Sequence, residues 1–226
     1  MKNKPVVVID SCSYTYLNLP LSLTEKVNLW ALLKRNAKLT CSPEVVAESN
    51  RNPQTLVKQA LELDGMRHKF SKTSIEDYEQ HLFGKVLNPK DGDKGERDNF
   101  AVSLDLFWSG SFGTVYLTDD ENHDILNKFL PAFPICQRWT SFDVILFLYL
   151  REHKQVFSKE FAEGAVRDLI AHFRENARSS LQNQKEKEGR DNFWFSETFK
   201  KAHDRFVNLQ TQYLSRIEII FNYLQN

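Results

Sequence analysis

The sequence predicts an α/β fold: a central parallel sheet flanked by helices, followed by a helical C-terminal extension. Three observations carry that prediction. Val6-Val7-Val8-Ile9 is a β-branched run without alternation, the pattern of a strand buried on both faces. Strand-like and helix-like segments then alternate as far as residue 140, which implies parallel strands joined by helical crossovers. Beyond that point only helical patterns remain. The chain has 226 residues, 41% hydrophobic and 27% charged, enough for one large domain or a domain with an extension. The expected division is residues 1–140 as the α/β domain and 141–226 as a helical extension, packed on that domain or on a partner.

The first strand ends at Asp10-Ser11-Cys12-Ser13. A charge where such a strand leaves the sheet stands at its carboxyl end, where open α/β sheets bind ligands. The same aspartate suits the cap of a following helix, and the strand alone leaves both readings open. Tyr14 to Leu19 is aromatic and apolar, and Pro20 interrupts it. Ser22 to Thr24 offer caps for a helix from about Leu23 to Leu33. Lys38 to Cys41 is short and suits a second strand. Ser42-Pro43-Glu44 starts a helix, with Ser as the cap, Pro at the first helical position and Glu in the first turn. That helix carries Val45, Val46 and Glu48 and breaks at Asn50-Arg51-Asn52-Pro53. A helical pattern returns from Gln54 to Leu63. Met66 to Thr73 reads as a connection or a strand, and Ser74 opens a helix through Leu82 and Phe83. Val86 to Asp93, with Asn88-Pro89 and Asp91-Gly92, reads as an exposed loop.

Gly95-Glu96-Arg97-Asp98 leads into Phe100, Ala101, Leu104, Leu106 and Phe107 at helical spacing, and Ser109 to Gly113 ends that helix. Thr114-Val115-Tyr116-Leu117 is a strand that stops at Thr118-Asp119-Asp120. A helix from about Glu121 to Phe129 and an edge strand over Ala132 to Cys136, which contains Pro134, follow. Ser141 caps an apolar helix through Tyr149, and Ser158 caps an amphipathic one through Phe173. Ser179 to Gly189 reads as a loop or a solvated helix. Thr198 to Leu224 carries Phe199, Phe206, Tyr213, Ile217 and Leu224 on one stripe, which predicts a single long amphipathic helix.

Charge and cysteine usage narrow the class. Thirty basic and thirty acidic residues give a net charge of zero, so a basic body built for bulk nucleic-acid binding is not indicated. Cys12, Cys41 and Cys136 are odd in number and far apart, which suggests reduced thiols and a cytoplasmic protein; no Cys/His spacing argues for zinc. The apolar stretches are too short to span a bilayer, so no membrane role is expected.

The acids are the chemical signal. Asp10 and Asp119-Asp120 close two strands, and parallel strands would bring both to one edge. Glu48 lies on the helix after the second strand, and Glu96 and Asp98 open a later one. Each has an ordinary reading as a cap, a macrodipole partner or a solvated side chain. Together they would repel strongly unless cations neutralise them. Hard oxygen ligands suit Mg²⁺ or Mn²⁺, which can activate water and stabilise charge on a phosphodiester.

Four segments in order resemble the PIN-domain nucleases: Val6 to Ser11, Ser42 to Glu48, Gly95 to Ala101, and Val115 to Asp120. The resemblance covers roughly residues 5 to 140, and the helix from Ser141 resembles those of a bacterial subgroup that includes VapC-like toxins. It implies a three-layer α/β/α fold and metal-dependent cleavage of single-stranded RNA. Asp10, Glu48, Glu96 and Asp120 match the metal-binding acids, with Asp98 and Asp119 as adjacent candidates. Ser11 matches the small hydroxyl residue after the first Asp, and Thr118 the one before the last, and both are candidate substrate contacts. In the implied mechanism Asp10 and Asp120 hold Mg²⁺ or Mn²⁺, Glu96 or Asp98 completes the shell, and Glu48 orients or deprotonates water. Arg51, Lys94 and Arg97 are candidates to hold substrate phosphates. Relatives of this kind are often toxins held by an antitoxin, so a protein partner on the C-terminal helices, or a homodimer through them, is a corresponding expectation. Two other classes stay open: a binding or scaffold module without catalysis, and a DNA-cleaving or other phosphoryl-transfer enzyme. A haloacid-dehalogenase-like use of Asp10 as nucleophile would want an acid where Cys12 stands.

Overall fold

The computed structural model describes residues 4–20, 28–51, 57–70, 73–86, 94–111, 113–120 and 135–225. The expected helix over Glu121 to Phe129, the loop over 87–93 and the beginning of the helix from Leu23 lie outside them.

The fold is α/β with an all-parallel four-stranded sheet. Its strands are β1 (Val6–Ile9), β2 (Lys38–Thr40), β3 (Thr114–Leu117) and β4 (Gln137–Trp139), in the order β2-β1-β3-β4. The register sets Val8 opposite Thr40 and Tyr116, and Ile9 opposite Leu117. Val7, Val8, Ile9, Tyr116 and Leu117 are fully buried, as unalternating central strands require. Because β1 has β2 on one side and β3 on the other, the connections leave its two edges in opposite directions. The carboxyl ends of β1 and β3 are therefore the switch point of the sheet, the place where such sheets bind ligands.

Most of the expected edge strand over Ala132 to Cys136 lies outside the described residues, and Ile135 and Cys136 are not in a strand. The strand pairing with β3 is Gln137–Trp139, with Val115 opposite Gln137 and Leu117 opposite Trp139. Gln137 and Arg138 are exposed, so an edge strand supplies no apolar run to mark it.

Among the described residues six helices accompany this sheet: α1 (Ser11–Leu17), α2 (Leu29–Asn36), α3 (Pro43–Arg51), α4 (Val57–Asp64), α5 (Ile75–Phe83) and α6 (Lys94–Trp108). Asp10 caps α1, its side chain accepting from the Ser11 amide, and Tyr14 and Leu17 bury its inner face. Asn18 receives the end of the helix two residues before Pro20. Ser74 and Asp77 form a capping box on α5, and Gly84, at φ 73°, closes it in the left-handed region. Helix α6 packs on β1 and β3, with Phe100 and Val102 meeting Val8 and Tyr116 in one apolar cluster.

The chain divides into two compact units, the first taking residues up to Leu19 and from Leu29 to Ser141, the second the segment beginning at Pro20 and the residues from Phe142 onward. The second unit contains nearly all of α7 (Ser141–Glu152), then α8 (Lys159–Glu188) and α9 (Asn192–Gln225). Phe142 stacks on Phe173 at 5.6 Å and tilts against Tyr213 at 5.1 Å, while the Tyr213 hydroxyl donates to Asp143 at 2.9 Å. The segment Ser179 to Gly189 is a solvated continuation of α8, ended by Gly189 at φ 63°. Among the described residues no helix is long and apolar enough to cross a membrane. The three cysteines carry free thiols.

Candidate functional site

Asp10 follows the last residue of β1, and its amide donates to Leu117 O at 3.0 Å, continuing the β1–β3 ladder. The side chain is 2% exposed. One oxygen, Oδ1, accepts from the Ser11 amide at 2.7 Å; the other, Oδ2, accepts from the Thr118 hydroxyl at 2.9 Å and the Cys12 thiol at 2.8 Å. Asp10 is thus both a helix cap and a carboxylate facing the end of β3. The cap reading describes one of its oxygens; the other is held by Thr118 and Cys12.

Ser11, the first residue of α1, turns its hydroxyl to Glu48 Oε2 at 3.1 Å. Glu48 reaches this edge from the middle of α3. Burial, then the negative charge of Asp10, raises its carboxyl above the ordinary range, while the Ser11 hydrogen bond opposes the rise. Its other contact is with α6: a Cβ built on Gly95 would lie 2.6 Å from Glu48 Oε1. Glu96 follows Gly95. Burial, then the charges of Asp10 and Glu96, drives the Tyr116 phenol far above its usual range, so both carboxylates act on one buried hydroxyl. At the end of β3 the Asp120 amide donates to Thr118 Oγ1 at 3.2 Å, and Asp120 is exposed.

Two predicted acids are engaged elsewhere. Asp98 stands two residues after Glu96, a rotation of about 200° around the helix, so the pair cannot face one way. It lies one turn from Lys94, whose Nζ is 3.2 Å from Asp98 and 2.5 Å from the buried Glu79 of α5. Burial and the Glu79 carboxyl push Asp98 up to about 8, against the pull of Lys94. Asp119 accepts from Ser13 Oγ at 2.6 Å, Ser141 N at 2.9 Å and Ser141 Oγ at 2.6 Å. Burial, and to a smaller extent the nearby Asp10 charge, raises its carboxyl, while those three bonds lower it. It ties the end of β3 to α1 and to Ser141.

The basic candidates also have partners. The Arg51 guanidinium pairs with Glu44. Lys94 is held by Glu79 and Asp98. Arg97 lies 5.4 Å over the Phe83 ring, its buried Nε lacking a hydrogen-bond partner among the described residues.

Several participants were not singled out from sequence. Asn99 is fully buried, donating to Ile9 O at 3.0 Å and accepting from Ser42 N at 2.9 Å, so one amide joins α6 to the ends of β1 and β2. Arg138, on β4, donates to Asp120 O at 3.2 Å. Ser13, Glu79 and Ser141 act on acids far away in the chain, and no local pattern marks those contacts.

The donors fit a hard divalent cation in kind: the Asp10 carboxylate acts on Glu48, raising its carboxyl, and Asp10 and Glu96 both act on the buried Tyr116 phenol. Among the described residues no three His, Cys, Asp or Glu side chains stand in a ready metal-holding arrangement. No protein-family model, no curated protein and no solved structure matches the chain.

Proposed function

We propose that the chain is a metal-dependent nuclease of PIN-like three-layer architecture, cleaving phosphodiester bonds of single-stranded RNA. One observation carries the reading. Asp10 is bonded to Thr118 across 108 residues and reaches Glu48 through Ser11, so three of the four acidic segments meet at the switch point of the sheet. Gly95 against Glu48 adds the fourth.

Asp10, Glu96 and Asp120 are the residues that would hold Mg²⁺ or Mn²⁺. Bound there, the cation supplies a Lewis acid and a more acidic water. The protein's own part is positional and basic. Ser11 and Thr118 donate to Glu48 and Asp10, which makes them orienting groups for the acids more than contacts for substrate. Glu48, with its raised proton affinity, is suited to take the proton of the attacking water. The exposed Arg138 beside Asp120 is available to a substrate phosphate. An antitoxin-like partner or a second copy on the C-terminal helices belongs to the same proposal, and rests on the family resemblance alone.

The test is cleavage of a panel of single-stranded RNAs and DNAs with Mg²⁺, with Mn²⁺ and with chelator, comparing wild type with Asp10→Asn. Metal-dependent RNA products lost in the variant support the reading. DNA products in place of RNA would move the substrate class. No metal-dependent product, or equal product from Asp10→Asn, would sink it.

A further inference from the structure

Gly95 sits at the second position of α6, on a backbone that any residue adopts, since its φ is not positive. Glycine is less favourable than alanine in a helix, so this position forgoes helix stability without a conformational need. The neighbouring carboxylate supplies the reason. A Cβ at position 95 would lie 2.6 Å from Glu48 Oε1, closer than such atoms approach, and a tight 3.1 Å from both its Cδ and Oε2, so the carboxylate end of this flexible side chain would have to move. The opposite side of that carboxylate is held by the Ser11 hydroxyl at 3.1 Å from Oε2. Glu48 is thus clamped between a hydrogen bond from α1 and the bare backbone of α6.

We propose that Gly95 is the positioning residue for Glu48, and that the missing side chain at 95 lets the carboxylate lie against the first turn of α6 within reach of Ser11. Any side chain there displaces the carboxylate or the helix end. The consequence for cleavage rests on the nuclease reading; the steric coupling does not.

The experiment is a double-mutant cycle read by melting temperature and by cleavage, using the full chain with Gly95→Ala, Glu48→Ala and the pair. Alanine at 95 is expected to raise the melting temperature less when Glu48 is present than when residue 48 is alanine, because only with Glu48 must a carboxylate give way to the better helix former. Glu48→Asp, shorter by one methylene, should recover part of that difference and covers the case in which Glu48→Ala folds poorly. Cleavage by Gly95→Ala should fall at least tenfold, toward the level of Glu48→Ala, because the displaced carboxylate leaves its position by Ser11. The same melting shift from Gly95→Ala in both backgrounds would overturn the proposal. A difference between backgrounds with no cleavage by wild type would leave the positioning role standing and remove the nuclease reading.

Discussion

Replacing Asp119 distinguishes a carboxylate that builds the fold from one that holds a cation. Its carboxylate accepts three hydrogen bonds, from Ser13 Oγ, Ser141 N and Ser141 Oγ at 2.6, 2.9 and 2.6 Å. Hydrogen bonds to a charged group contribute about 1.5–3 kcal/mol each, a gross loss of roughly 5–9 kcal/mol on deletion. Asp119 is only part-buried, so water replaces some of this, and burial already disfavours the charge. The net expectation for Asp119→Ala is a loss of about 2–4 kcal/mol. For a chain of this length that lowers the melting temperature by roughly 5–15 °C, measurable by scanning calorimetry. Asp119→Asn keeps one acceptor for the Ser141 amide and offers an NH₂ to hydroxyls that can turn and accept, so it should cost less than half as much. A carboxylate whose main effect is repulsion with Asp10 gives the opposite sign: both variants would be as stable as wild type or more so. That result would refute the structural assignment of Asp119 and restore it as a metal ligand.

Asn99→Leu should cost about 2–4 kcal/mol in urea unfolding, since it leaves the Ile9 carbonyl and Ser42 amide buried without their partner. Lys94→Met should cost about 3–5 kcal/mol at neutral pH by leaving the buried Glu79–Asp98 pair, which keeps one negative charge, without its counter-charge. The same pair makes stability depend on pH. Asp98 is raised to about 8, against roughly 3.9 for an unfolded aspartate, so folding takes up a proton there. Its contribution is full below about pH 4 and is lost as pH rises through about 8; Asp98→Asn should flatten the stability profile over that range. Burial holds Cys41 at about 12 and Cys136 at about 11, and raises Cys12 further beside Asp10. All three thiols should therefore alkylate at least tenfold more slowly in native protein than in urea near pH 7.5, as read by mass spectrometry.

The parts of the fold legible in sequence are those whose local chemistry and tertiary role agree. Val6 to Ile9 and Thr114 to Leu117 are buried on both faces and look it. Helix α5 carries its own capping box. Helix α1 was not assigned because Ser11, Cys12 and Ser13 are poor helix formers; the Asp10 cap and the burial of Tyr14 and Leu17 form it instead. Strand β4 escaped because its residues are polar and exposed. In the candidate site, acids at strand ends were visible as Asp10 and Asp119-Asp120, but their division of labour was not. Asp119 turns to Ser13, 106 residues away, and Asp98 turns to Glu79 on another helix. The choice between Glu96 and Asp98 depends on which face of α6 meets α5, and that is a property of packing.

The Asn99 amide has a role beyond stability. It reads a carbonyl at the end of β1 and an amide just after β2, two points set abreast only when Val8 stands opposite Thr40. Slipping β2 by one residue would move the Ser42 amide about 3.3 Å, out of reach of Asn99, and strand half of the buried amide. The side chain therefore works as a gauge of strand register, and its measuring points flank Asp10 on one strand and the start of the Glu48 helix on the other. A chain folded out of register would fail this gauge and misplace both acids together. Correct pairing of the sheet and assembly of the acidic edge are, at this one residue, a single event.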